Sequence, residues 1–153
     1  MKRNLQLAGV GVLMVLIAIQ FVPPARNQSA GAAPNDIAAK YPVPADVALL
    51  LRRACYDCHS NQTRYPWYAA VQPMGWWLAW HVNAGKRHLN FSEFSTYSAK
   101  RARGRIGDVA DEVDQKHMPL RSYLWMHPEA RLTPEETRRL VTWAENLQEE
   151  IKP

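Results

Sequence analysis

The chain has 153 residues, of which 47% are hydrophobic and 22% charged, and a formal net charge of +5. That length gives one domain with a single core plus an extension. The mild basic balance, part of it from Lys2 and Arg3 at the extreme N-terminus, gives no sign of a DNA- or RNA-binding surface.

Lys2 and Arg3 precede an almost uninterrupted apolar run from Leu5 to Val22, followed by Pro23-Pro24 and a small, polar stretch. Basic residues ahead of an apolar run hold the N-terminus on the cytoplasmic side and send the rest outward. The run exceeds a usual signal h-region and is about the minimum for a spanning helix. A cleavage-like Ala30-Gly31-Ala32 lies well beyond its end, so an uncleaved anchor over residues 1–22 is favoured over a cleaved signal peptide. Either way the domain is expected outside the bacterial cytoplasm. It would be tethered to the inner membrane and face the periplasm, or be free there after cleavage.

Residues 23–40 read as a flexible linker, and the folded domain is expected over 41–153. Pro44 and Asp46 sit where a helix begins, and Val47, Leu50, Leu51 and Ala54 recur at helical spacing. That helix runs into Cys55-Tyr56-Asp57-Cys58-His59. Two cysteines one helical turn apart can form thioethers to vinyls on neighbouring pyrroles of a porphyrin, and the adjoining His can reach the iron from the same side. A redox disulfide would leave His59 unused and lacks a surrounding βαβ pattern. A structural zinc site would need a second ligand pair that the sequence does not contain. The motif therefore predicts one covalently attached haem c, with Cys55 and Cys58 as attachment points and His59 as proximal ligand.

Downstream, Tyr65, Trp67, Tyr68, Trp76, Trp77 and Trp80 crowd together. Core packing or an interfacial position accounts for part of such a cluster; Tyr65 and Trp76 are taken as residues lining the haem. A second helix is expected from Met74 to Ala84, with Gly85 as its stop. Ile106, Val109, Ala110 and Val113 suggest a third, ending before His117-Met118-Pro119. Lys100, Arg101, Arg103 and Arg105 form a basic cluster that reads as a solvated face or as propionate partners. Thr133, Pro134 and Glu136 make a capping box opening a last helix, whose stripe of Leu140, Ala144, Leu147 and Ile151 is expected to pack on the first. No segment alternates as a strand. The domain reads as all-α, and the stretches 60–73 and 86–104 are expected to wrap the porphyrin.

A second axial ligand is normally Met or His. Met118 is the first choice, because Pro119 holds the loop extended and lets a thioether point inward. His81, set among aromatic residues, is the main alternative, and His117 a lesser one.

These residues resemble the bacterial haem-binding domain family of small c-type cytochrome-like proteins. The likeness runs through Cys55-Tyr56-Asp57-Cys58-His59-Ser60-Asn61, Tyr65-Pro66-Trp67-Tyr68, Leu89-Asn90-Phe91-Ser92, Met118-Pro119 and His127-Pro128-Glu129-Ala130, over about residues 42–147. It implies a cytochrome-c-like helical domain, exported, with one covalent haem, His59 proximal and Met118 distal. His81 departs from the family pattern, in which an acidic residue is frequent there. The function expected is electron carriage by Fe(III)/Fe(II) cycling among periplasmic or membrane redox partner proteins, with no catalytic residues. A peroxidase or gas or redox sensor with a displaceable sixth ligand is the alternative.

Overall fold

The computed structural model describes residues 1–29, 31 and 33–152. Ala30 and Ala32 of the cleavage-like stretch lie outside the described residues. Within them the order is α1 (Lys2–Ile19), α2 (Ala45–Ala54), α3 (Tyr56–His59), α4 (Met74–His88), α5 (Ala99–Asp114), α6 (Arg121–Met126) and α7 (Pro134–Glu150). Short 3₁₀ turns lie at Ile37–Ala39, Trp67–Ala70, Phe91–Thr96 and Pro128–Ala130. The fold is all-α: among the described residues there is no strand, only an isolated bridge between Gln28 and Gln62.

The apolar run forms α1, whose residues bury nothing against the domain. Its composition and 18 residues suffice to cross a membrane, as they would for a signal sequence. Its C-terminal end is nonetheless fixed. Gln20 donates to the Gln72 carbonyl at 3.1 Å and accepts from the Gln72 amide at 2.9 Å. The Trp76 indole donates to the Val22 carbonyl at 2.7 Å.

The stretch read as a flexible linker is bonded along the domain. The Asn27 amide donates to the Tyr65 hydroxyl at 2.7 Å, and its side chain donates to the Ser60 carbonyl and the Thr63 hydroxyl. Ser29 and Asn61 pair through the backbone, Tyr56 donates to Asp36, and Ile37 is wholly buried in the main core.

The main core gathers Ile37, Val47, Leu51, Phe94, Ile106 and Leu140. The α7 stripe packs chiefly against α5, which corrects the expected pairing with α2. Arg103 on α5 donates to the Gln148 carbonyl at 2.6 Å near the end of α7. With α2, α7 makes the Arg53–Glu136 and Arg139–Asp46 ion pairs, and the Trp143 indole donates to the Pro42 carbonyl, just ahead of α2. The capping box forms as expected: Thr133 accepts from the Glu136 amide, and Glu136 accepts from the Thr133 amide.

Two further departures have clear causes. The segment 86–104 contains Phe91 and Phe94 buried in the main core, so it completes a protein core rather than only enclosing a ligand. And α4 runs past Gly85 to His88. A Cβ at Gly85 would lie 2.6 Å from the Cys58 carbonyl oxygen. The glycine is there to let α3 and α4 touch, not to end the helix.

Candidate functional site

The first helix of the core, α2, delivers the chain to Cys55, whose amide bonds the Leu51 carbonyl, and one more turn, α3, carries Cys58 and His59. This turn lies between two apolar clusters. Cys55 packs against the main core, while Cys58 packs against a smaller cluster of Ala69, Leu78 and Val82. A cavity of about 650 Å³ opens between them, lined by Cys55, Cys58, His59, His81, Leu89 and Met118 among others. Its size suits a cofactor-scale ligand.

Both cysteines are free. Burial pushes the Cys55 thiol up to about 12, with the neighbouring Cys58 adding to the effect, and burial pushes Cys58 up to about 11, with Asp57 adding. They therefore stand as neutral thiols at neutral pH.

The His59 ring has its Nδ1 3.1 Å from the Leu89 carbonyl, the residue that caps α4. A carbonyl only accepts, so Nδ1 carries the proton and Nε2 is left as the basic nitrogen. Burial holds the His59 pKa below its usual value, against the raising effect of the Leu89 and Gly85 carbonyls. A half-buried, neutral imidazole with its far nitrogen oriented this way is suited to coordinate iron.

The opposite wall comes from α5 and the loop after it. Lys116 adopts a left-handed φ of 59°. The Lys116 amide bonds the Val113 carbonyl and the His117 amide bonds the Glu112 carbonyl, together a Schellman motif. The chain reverses there and brings Met118 to the cavity, part-buried against the main core. His117 is turned out toward Glu112, 3.4 Å away.

His81 lines the same cavity from α4, with Nδ1 3.0 Å from the Trp77 carbonyl. Of the basic cluster, Arg105 reaches the lining and pairs with Asp108. Tyr65 and Trp76 are not among the lining residues; the first accepts from Asn27 and the second holds Val22. Trp80 and Tyr123 line it instead.

One part of the site went unread in the sequence. Asp57 is only 6% exposed. Its carboxylate accepts from the Arg64 amide and guanidinium at 3.1 Å and from the Tyr123 hydroxyl at 2.7 Å. Arg64 is raised above its ordinary value mainly by this bond; Tyr123 is raised by burial and then by Asp57. Asp57, one of the two residues between the cysteines, thus ties the cysteine turn to α6.

Paired free thiols, an imidazole with a basic Nε2 and a mostly apolar cavity fit a c-type haem. They do not fit a closed zinc shell, since no group of three or more His, Cys, Asp or Glu gathers among the described residues. The family model described as haem-binding domain matches residues 14–146. The curated proteins and the solved structures yield no match.

Proposed function

The chain belongs to the haem-binding domain family, and from that premise we propose that it is a membrane-tethered, periplasmic monohaem c-type cytochrome that carries electrons. It binds haem; the proposal concerns the manner of binding and its use.

Cys55 and Cys58 would each add a thiol S–H across a vinyl group, forming one C–S bond apiece with no atom lost. His59 would bind through Nε2 while Leu89 holds its Nδ1 proton. Met118 would be the second protein ligand to the iron, with His81 as the alternative. When bound, haem supplies a one-electron Fe(III)/Fe(II) couple. With His59 and Met118 both bound to the iron, no site would be left for small ligands and the potential would be raised, which would favour carriage over catalysis. The mostly apolar walls would take the porphyrin face, and Arg105, which lines the cavity, is suited to meet a propionate. The exposed, apolar α1 would span the inner membrane and keep the domain beside membrane redox proteins.

The observation that carries this reading is the convergence of Cys55, Cys58, His59 and Met118 on one cavity. The test is absorbance of the oxidised and reduced protein with and without carbon monoxide, together with haem staining after denaturation. Haem retained by the denatured chain and lost in Cys55→Ala/Cys58→Ala establishes the covalent link. A thioether-to-iron charge-transfer band absent from Met118→Ala establishes the sixth ligand. Rapid carbon monoxide binding by the untreated ferrous protein overturns the carrier role.

A further inference from the structure

Several large aromatic residues of α4 and of the turn before it lie exposed. Along α4, Gly75, Leu78 and Val82 face inward. Successive residues turn by about 100°, which puts Trp76, Trp77 and Trp80 on the opposite face, with Met74 beside Trp77 at its edge. All four are exposed, Trp80 to 62%. His81 packs against both Trp77 and Trp80, with ring centroids 4.2 and 4.7 Å away. The 3₁₀ turn that packs beside α4 adds Trp67, 79% exposed, and Val71 follows it. Among the described residues the side chains of this surface remain exposed to solvent.

Its neighbour is the end of α1. Gln72, one turn before Trp76, holds Gln20 through two hydrogen bonds, and Trp76 itself holds the Val22 carbonyl. At about 1.5 Å per residue α1 is about 27 Å long, close to the roughly 30 Å of bilayer hydrocarbon. A spanning α1 therefore delivers Phe21 and Val22, both exposed, to the outer boundary of that layer, and the bonds to Gln72 and Trp76 place the start of α4 at the same level. Indole rings, apolar with one N–H donor, partition to that boundary.

We propose that Trp67, Met74, Trp77 and Trp80, with Val71, form a second membrane contact that seats the domain in the lipid interface. The occupant is the headgroup and upper acyl region of the leaflet from which α1 emerges. The proposal rests on the anchor reading of α1 and is independent of how haem is held. Because Trp80 and His81 also line the cavity, the seated domain turns one rim of that cavity toward the lipid.

The experiment uses the full haem-loaded chain in nanodiscs containing a lipid with a photoactivatable diazirine in the upper acyl chain, with adducts mapped by mass spectrometry. Trp125, 84% exposed on α6, is the internal control. Adducts on α1 together with adducts on Trp67 and Trp77 at least tenfold above Trp125 are expected. Substituting Trp67→Ser and Trp77→Ser in one chain should then strip adducts from Met74 and Val71 while leaving those on α1. Adducts on α1 with Trp67 and Trp77 no more labelled than Trp125 would overturn the contact and leave the anchor standing. An unlabelled α1 would overturn both.

Discussion

The Tyr123 hydroxyl donates to the Asp57 carboxylate at 2.7 Å, across 66 residues of chain. It joins α6 to one of the two residues between the cysteines, and the Met118 loop leads directly into α6. The turn carrying Cys55, Cys58 and His59 and the loop carrying the proposed distal ligand are thus held by one buried carboxylate, whose charge Arg64 neutralises.

Removing the phenolic donor should cost what a hydrogen bond to a buried charge contributes. Tyr123→Phe is expected to lower stability by about 1.5–3 kcal/mol. Asp57→Asn combined with Tyr123→Phe should cost less than the two single changes added, because the carboxylate no longer needs that donor. Denaturant unfolding of the four proteins measures both.

At Gly85 the obstacle to a side chain is backbone, the Cys58 carbonyl 2.6 Å from a built Cβ. Backbone gives way poorly, so Gly85→Ala should cost about 1–3 kcal/mol by overpacking and displace Cys58 from the cavity wall. Thermal unfolding and haem content per chain should fall together. A protein of normal stability and full haem content would show that α3 and α4 part easily.

Those two residues mark the limit of what the chain discloses by itself. The attachment motif, the capping box at Thr133 and the apolar spacing of α2 and α7 are local patterns, each complete within one or two turns. All were legible. Met118 stands out in the sequence because Pro119 holds its loop extended, and it lines the cavity. Asp57 reads as an ordinary polar spacer, and only its distant partners Arg64 and Tyr123 make it structural. Gly85 carries the same letter whether it stops a helix or admits a neighbour; the difference lies in Cys58. Ile37 is one apolar residue in a small, polar stretch, and its burial depends on a core assembled from α2, α5 and the turn at Phe91–Thr96. α5 begins at Ala99, earlier than its apolar spacing suggests, because Ser98 caps it and its first turns are basic.

Acid should loosen the site from His59. Its folded-state pKa lies below the usual 6.5 because burial disfavours the imidazolium. The neutral, buried ring therefore contributes stability above about pH 6.5, and this contribution is lost as pH falls through the lower folded value. The haem-free chain should lose unfolding free energy across that window, and His59→Gln should flatten the slope there. An unchanged slope would place the acid sensitivity elsewhere.

The cysteines set the opposite limit. With Cys55 pushed up to about 12 and Cys58 to about 11, the thiolate that alkylating reagents attack is scarce at neutral pH. Iodoacetamide should modify the folded haem-free chain slowly at pH 7–8 and accelerate only well above pH 9, the ordinary thiol value. Unfolding in denaturant should restore fast modification near pH 9. Mass spectrometry distinguishes the two profiles.

Lys116 is the one non-glycine residue with positive φ among the described residues. Left-handed backbone costs a residue with a Cβ roughly 1–2 kcal/mol, against roughly 0.5–1 kcal/mol of extra chain entropy that glycine loses on folding. Lys116→Gly should therefore stabilise the domain by up to about 1.5 kcal/mol and leave the haem spectrum unchanged. A loss of stability would mean that the lysine side chain contributes more than its backbone costs.

The strap from Asn27 to Ile37 bears on reach. A freely jointed segment of some eighteen residues would let its domain wander over roughly 23 Å, so that it could swing between a donor and an acceptor. This one is bonded at Asn27, Ser29 and Asp36, and the helix before it is held at Gln20 and Val22. An anchored protein built this way is a fixed post rather than an arm. Under the proposed function, exchange partners would come alongside by drifting in the plane of the bilayer, and the pace of electron traffic would follow their lateral diffusion and crowding.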